Sequence, residues 1–88
     1  MVMNARTADT RAMIDALPSQ RLAVLLRTLR IERRLSQEEL AERAGLHRNF
    51  VSLIERGKSQ PTVDNLFRLA DALEISAVEL IQRISPAV

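Results

Sequence analysis

The residues best suited to recognising a partner lie on one face of a short segment in the middle of the 88-residue chain. Arg48, Asn49, Ser52, Leu53 and Arg56 recur at intervals that place them on one side of a helix. Their guanidinium, amide and hydroxyl groups form hydrogen bonds, and the two arginines add positive charge. This face is therefore suited to binding a polar, anionic partner.

The distribution of charge along the chain also favours an anionic partner. The net charge is only +2, but residues 19–60 carry nine basic side chains against five acidic ones. Residues 61–88 carry two basic against four acidic side chains, and residues 1–18 are balanced. A basic middle beside an acidic end suggests a polyanion that contacts the middle segment only.

The composition excludes several other kinds of site. Without cysteine there is no disulfide framework, thiolate nucleophile or cysteine zinc site, and His47 is the only histidine. Glu38, Glu39 and Glu42 lack a partner histidine, a nucleophile and a visible pocket, as general acid–base catalysis would require. We therefore expect no metal site, no cofactor and no enzymatic activity.

The apolar and aromatic residues restrict where the protein is expected to be located and which kind of nucleic acid it could bind. The longest apolar run is five residues, Leu22 to Leu26, whereas a membrane span needs about 20. The N-terminus has no secretory h-region, so we expect a cytoplasmic protein without membrane contact. Phe50 and Phe67 are the only aromatic residues, too few for the stacking platforms that hold single-stranded nucleic acid.

Hydrophobic periodicity and capping residues predict an all-α chain, since no segment alternates with period 2 for the length of a strand. We expect an N-terminal extension over residues 1–18, with a helix over Thr7–Leu17 that Pro18 ends, before a domain over residues 19–88. The helices predicted in that domain run from a cap at Ser19 to Arg33, from a cap at Ser36 to Gly45, from Arg48 to Arg56, from a cap at Thr62 to Leu73, and from a cap at Ser76 to Ile84.

Local signals support these boundaries. Ser36 with Glu39, and Ser76 with Glu79, are spaced as capping boxes, and Gly45 and Gly57 suit the left-handed residue that follows a helix. The apolar stripes predict the buried faces. The predicted core residues are Leu22, Leu25, Leu26 and Leu29, then Leu40, Ala41 and Ala44, then Leu46, Val51 and Ile54, and lastly Val63, Leu66, Phe67, Ala70 and Leu73.

Two short helices joined by a three-residue turn that contains glycine form the helix-turn-helix pattern, here over residues 36–57. Three strings extend the match, and they read LSQEELA (35–41), VSLIERG (51–57) and PTVDNLFRLA (61–70). From about Arg21 to Leu80 the chain resembles the XRE-type helix-turn-helix family of Cro, the lambdoid phage repressors and many small bacterial regulators. The string LHRNFVS (46–52) is also similar to restriction–modification controller proteins.

The resemblance implies a lambda-repressor-like domain of five helices whose third helix lies in the DNA major groove. Arg48, Asn49 and Ser52 match positions that reach base edges, and arginine and asparagine form bidentate pairs with guanine and adenine respectively. Leu53 replaces a polar residue there and either contacts a thymine methyl or covers apolar surface. The matches to contacts with the DNA backbone are Gln37, Arg56, Lys58 and Asn65.

The resemblance implies three further roles that do not involve hydrogen bonds to base edges. His47 caps the recognition helix or contacts phosphate. Phe50 either packs in the core or against a helix, or contacts the DNA sugar-phosphate or a thymine methyl. Arg30 and Glu55 match a partly buried ion pair that links the first helix of the domain to the recognition helix.

These features predict a transcription regulator that binds double-stranded DNA sequence-specifically. We expect it to bind a palindromic operator as a homodimer and to act as a repressor or autoregulator. The dimerisation region is expected at about residues 73–84, because its apolar residues exceed what one small core can bury. They are Leu73, Ile75, Val78, Leu80, Ile81 and Ile84. RNA polymerase is a further possible partner. The alternatives are an antitoxin that binds a toxin through residues 1–18, and a protein-interaction module without DNA affinity.

Overall fold

The computed structural model describes residues 16–85, and within this range the chain forms five α-helices and no strand. The helices are α1 (Pro18–Glu32), α2 (Gln37–Ala44), α3 (Arg48–Glu55), α4 (Val63–Ala72) and α5 (Ala77–Ile84). This confirms the predicted all-α, five-helix domain. The extra helix predicted over Thr7–Leu17 falls almost entirely outside the described residues.

Helix α1 begins two residues earlier than the sequence predicted. Pro18 is its first residue and Leu17 occupies the N-cap position, so the prediction that Ser19 caps this helix is wrong. Proline suits the first helical position because its missing N–H has no partner there and its φ is already helical. The side chain of Gln20 then accepts a hydrogen bond from the Leu17 N–H at 2.8 Å.

The capping box predicted at the start of α2 is complete. The Ser36 hydroxyl accepts from the Glu39 N–H at 3.0 Å, and the Glu39 carboxylate accepts from the Ser36 N–H at 3.0 Å. These hydrogen bonds, that to the Ser36 backbone first, lower the pKa of Glu39. The cap therefore stabilises the fold above the ordinary pKa of a glutamate, and this contribution is lost as the pH falls through the lowered value.

The second predicted capping box, at the start of α5, forms only in part. Ser76 accepts from the Glu79 N–H at 3.0 Å, as expected of an N-cap. The Glu79 carboxylate instead pairs with Arg83 one turn further along the exposed face, at 2.9 Å. A lysine or arginine four residues after a glutamate offers this alternative partner.

The core draws at least one residue from each helix and from the loops after α1 and α4. Its largest fully buried side chains are Leu26, Leu29, Leu40, Val51, Ile54, Leu69, Leu73 and Leu80. Val63 and Phe67 were predicted to be buried, yet they are 71% and 55% exposed. Ala70 and Leu73 are buried as predicted, and Leu69 and Ala72 join them in the core.

The dimerisation prediction is also corrected by the core. Four of its six residues are buried within the single chain, so they are not available to a second copy; they are Leu73, Ile75, Leu80 and Ile84. Five short helices form one core, and α5 closes it by packing against α1 and α4. Only Val78 and Ile81 stay accessible, at 68% and 41%.

Among residues 16–85, two residues other than glycine adopt the left-handed conformation that follows a helix. Gly45 and Gly57 have φ values of 70° and 69°, as predicted. Arg34 and Glu74, just beyond α1 and α4, have φ values of 57°. An L-residue with a Cβ is strained in this region by about 1–2 kcal/mol, whereas glycine is not.

Replacing Glu74 with glycine is therefore expected to raise the free energy of unfolding by about 0.5–1 kcal/mol, the strain relieved less the entropy that glycine adds to the unfolded chain. Urea unfolding followed by circular dichroism measures the change. The matched control is Glu42→Gly, an exposed position inside α2, which should lose about 1 kcal/mol. Two losses of similar size would contradict the strain at Glu74.

Candidate nucleic-acid interface

Helices α2 and α3 are held against each other by small and apolar side chains. Ala41 in α2 is almost fully buried, and Val51 and Ile54 in α3 are buried opposite it. The turn between the helices closes on the left-handed Gly45, and the Leu46 N–H donates to the Ala41 carbonyl at 2.8 Å. The inner face of α3 is thereby fixed to the body of the domain.

The outer face of α3 carries the predicted base-reading residues. Arg48, Asn49 and Leu53 are exposed and Ser52 is half-buried, so the structure brings all four together on the accessible side. Arg56 follows the helix end, and its Nε lies 3.4 Å from the Ser52 carbonyl. The result is a polar, basic ridge formed by one short helix.

The residues predicted to contact a DNA backbone lie at the ends of α2, α3 and α4. Lys58 is exposed in the loop after α3, where its N–H donates to the Leu53 carbonyl at 2.8 Å. Asn65 is half-buried in the first turn of α4, and its N–H donates to the N-cap side chain of Thr62 at 3.1 Å. These contacts anchor the backbone of both segments.

The structure shows the surroundings of His47 and Phe50, for which two interpretations were left open. His47 stands at the N-cap position of α3, but its side chain makes no capping hydrogen bond and is exposed. Phe50 is half-buried and packs against the core, as the first of its two interpretations expected. The side chain of His47 is accordingly accessible to a ligand at the start of α3.

The ion pair implied for Arg30 and Glu55 is present. Arg30 Nε donates to Glu55 Oε2 at 2.7 Å, and Arg30 Nη2 donates to Glu55 Oε1 at 2.9 Å. Their side chains are 13% and 4% exposed, so the pair is largely shielded from water. The hydrogen bond to Glu55 raises the pKa of Arg30, and Arg30 Nη1 also donates to the Leu35 carbonyl at 2.9 Å.

Two features of this surface were not found from the sequence. Gln37 Nε2 donates to Glu55 Oε1 at 3.2 Å, across 18 positions of the chain. Arg68 places its Nη1 only 3.9 Å from where a Cβ on Gly45 would lie, so a cation stands beside the turn. The first contact depends on how α2 packs against α3 and the second on how α4 packs against the turn, and no local sequence signal marks either.

Two features are absent from the described residues. No group of three or more His, Cys, Asp or Glu side chains in residues 16–85 is placed to hold a metal ion. Among the helices of the same range, none has both the length and the apolar character needed to cross a membrane.

Comparison with known proteins identifies the family to which this geometry belongs. The Helix-turn-helix family profile matches residues 26–80. A control protein, C.SmaI from Serratia marcescens, is 42% identical over 62 residues, which cover 70% of this chain and 74% of that protein. An uncharacterised regulator of the helix-turn-helix type from Sinorhizobium fredii, y4dJ, is 47% identical over 53 residues, covering 60% of this chain and 69% of the relative.

A solved structure agrees in both fold and sequence. The restriction–modification controller protein C.AhdI from Aeromonas hydrophila superposes with a TM-score of 0.68 at 40% identity, covering 70% of this chain and 94% of that chain. The chain belongs to the helix-turn-helix family of DNA-binding transcription regulators. Within that family it is of the XRE type, with restriction–modification controller proteins among its relatives. These comparisons give no support to the antitoxin alternative.

Proposed function

We propose that this regulator binds a palindromic operator in double-stranded DNA as a homodimer and represses transcription, including that of its own gene. The observation that carries the proposal is the outer face of α3. Arg48, Asn49 and Leu53 are exposed on it while Val51 and Ile54 are buried behind it. A helix fixed in this way can enter a major groove without rearrangement of the domain.

The exposed groups on α3 match the chemistry of base edges. Arg48 donates a bidentate pair to guanine O6 and N7, and Asn49 pairs with adenine N6 and N7. Ser52 accepts or donates one further hydrogen bond. Leu53 contacts the methyl group of a thymine, which is the one apolar feature of the major groove.

The residues at the helix ends fix the position of α3 along the duplex. Gln37, Lys58 and Arg56 contact phosphates on either side of the groove, with Asn65 and His47 at its margins. Such contacts set the register and carry no sequence information. Phe50 contributes by packing, because its ring already contacts the core.

A homodimer supplies the specificity that one short helix lacks. One recognition helix reads only a few base pairs, whereas two related by a twofold axis read half-sites about one helical turn apart. The exposed apolar residues of α5, Val78 and Ile81, are proposed to form the contact between copies. Occupying a promoter is the simplest route to repression, and activation through contact with RNA polymerase is the alternative.

Selection from random duplex DNA tests the proposal directly. We expect an enriched palindrome that binds two protomers, with an affinity that falls steeply as salt rises because counterions are released from phosphates. Folded protein that enriches no sequence and shows no salt-dependent binding would contradict the proposal. That outcome would favour the protein-interaction module instead.

The two classes of contact are separated by a matched pair of substitutions. Arg48→Ala is expected to cost about 1–3 kcal/mol on the selected duplex and to relax the preference at one base pair. Lys58→Ala should weaken binding to selected and unrelated duplexes alike and reduce the salt slope by about 1. Titration of both duplexes at several salt concentrations measures these effects. A sequence-selective loss in Lys58→Ala, or unchanged preference in Arg48→Ala, would contradict the assignment of that residue.

A further inference from the structure

The carboxylate of Glu55 accepts three hydrogen bonds, one more than the Arg30 guanidinium supplies. Two come from the Arg30 guanidinium, at 2.7 and 2.9 Å, and the third is the side-chain amide of Gln37, at 3.2 Å. Glu55 is at the end of α3 and Gln37 is the first residue of α2. The contact therefore joins the recognition helix to the side chain proposed to bind phosphate.

The third donor has a defined consequence for Gln37. A primary amide carries two N–H hydrogens and one carbonyl oxygen, and either end can point outward when the side chain is free. Because Glu55 only accepts hydrogen bonds while ionised, it fixes the nitrogen end of the Gln37 amide. One hydrogen is held by the carboxylate, and the direction of the second is set before any ligand arrives.

The charge of Glu55 is compatible with a phosphate nearby because Arg30 compensates it. The two side chains form a net neutral pair, only 13% and 4% exposed, so Glu55 contributes orientation with little repulsion of a polyanion. Arg30 Nη1 also binds the Leu35 carbonyl at 2.9 Å, one residue before the N-cap of α2. The same cation thus fixes the start of the helix that carries Gln37.

We propose that Glu55 is a positioning residue for DNA binding, which orients the amide of Gln37 so that its second N–H is presented to a phosphate. This inference rests on the proposed function, since it assigns a role within the same interface. It adds preorganisation to the structural role of the ion pair. Preorganised donors bind more tightly because the ordering cost is met before association.

A double-mutant cycle between Glu55 and Gln37 tests the inference. Glu55→Asp is one methylene shorter, so Arg30 can follow its carboxylate while the Gln37 amide loses its contact. We expect this variant to bind the selected duplex and an unrelated duplex roughly three- to tenfold more weakly, since a phosphate contact carries no sequence preference. Glu55→Asp should weaken binding no further in a protein that already carries Gln37→Ala.

The outcomes distinguish the two proposals. If Glu55→Asp costs the same factor with and without Gln37, then Glu55 acts only through the fold and the positioning role is wrong. If the wild-type protein itself binds neither duplex in a salt-dependent manner, the proposed function fails and the positioning role fails with it. Thermal unfolding of each variant, compared at a temperature where all are folded, keeps loss of folding out of the cycle.

A second measurement needs no substitution and no DNA. In the free wild-type protein, NMR relaxation should show the Gln37 side-chain amide to be markedly more ordered than that of Gln82, an exposed glutamine on α5. Equal mobility of the two amides would overturn the inference, even if Glu55→Asp proved too unstable to study.

Discussion

Replacing Arg30 with methionine is expected to lower the free energy of unfolding by about 3–5 kcal/mol, because it removes one partner of a largely buried ion pair. The substitution leaves the Glu55 carboxylate, only 4% exposed, with the Gln37 amide as its remaining side-chain donor among those described. It also removes the donor to the Leu35 carbonyl. A small domain is stable by about 5–10 kcal/mol, so the variant should be partly unfolded near 37 °C.

Two controls identify the cause of this loss. Arg83→Met removes an ion pair of similar length, 2.9 Å, whose two side chains are about half exposed, and it should cost less than about 0.5 kcal/mol. The double variant Arg30→Met, Glu55→Met should recover much of the stability, because no charge is then left buried and unpaired. Urea unfolding followed by circular dichroism measures all three. A loss below about 1 kcal/mol in Arg30→Met would show that water screens the pair as it screens a surface pair.

The helix boundaries could be predicted because the signals that set them are local. The hydroxyl of Ser36 and the carboxylate of Glu39 are three residues apart and satisfy each other's backbone N–H groups at 3.0 Å. Gly45 and Gly57 adopt the left-handed conformations that their positions after a helix demand. The start of α1 was predicted wrongly because a proline can either end a helix or begin one, and the neighbouring residues do not decide between the two.

The buried face of a helix depends on its neighbours, and here the sequence was a weaker guide. The stripe predicted for α4 satisfies the helical period, and its members Ala70 and Leu73 are buried. Val63 and Phe67 are nevertheless exposed, and Leu69 is fully buried. The sequence allows either edge of this stripe to be buried, because α4 is apolar over a wider arc than one small core covers. The packing of α4 against α2 and α5 selects between them.

In the candidate site too, features set by local spacing could be predicted, whereas contacts between distant residues could not. That Arg48, Asn49, Ser52 and Leu53 share a face follows from helical spacing within six residues. The partnership of Arg30 with Glu55 spans 25 positions, and only the resemblance to a family pointed to it. Neither local spacing nor the resemblance pointed to the hydrogen bond from Gln37 to Glu55, since it arises when α2 and α3 are packed together. Contacts of this kind require the assembled fold.

If the chain forms the proposed homodimer, replacing Val78 and Ile81 together with glutamate is expected to convert it to a monomer in analytical ultracentrifugation without unfolding the protein. Both side chains are accessible in the single chain, at 68% and 41%, so the core loses nothing when they become charged. In the dimer two pairs of carboxylates would be buried face to face, which costs several kcal/mol. The affinity for the palindrome should fall by about 10²–10⁴, because the two half-sites are then bound independently.

The control for this prediction is another exposed apolar pair on a different face. Val24 and Ile31 in α1 are 52% and 55% exposed, and changing both to glutamate should leave a dimer with unaltered operator affinity. Ile84→Glu should instead unfold the chain, since Ile84 is in the core. If the α1 variant dissociates and the α5 variant does not, the copies meet through α1. The two recognition helices would then be set at a different spacing, and the half-site separation found by selection would reveal it.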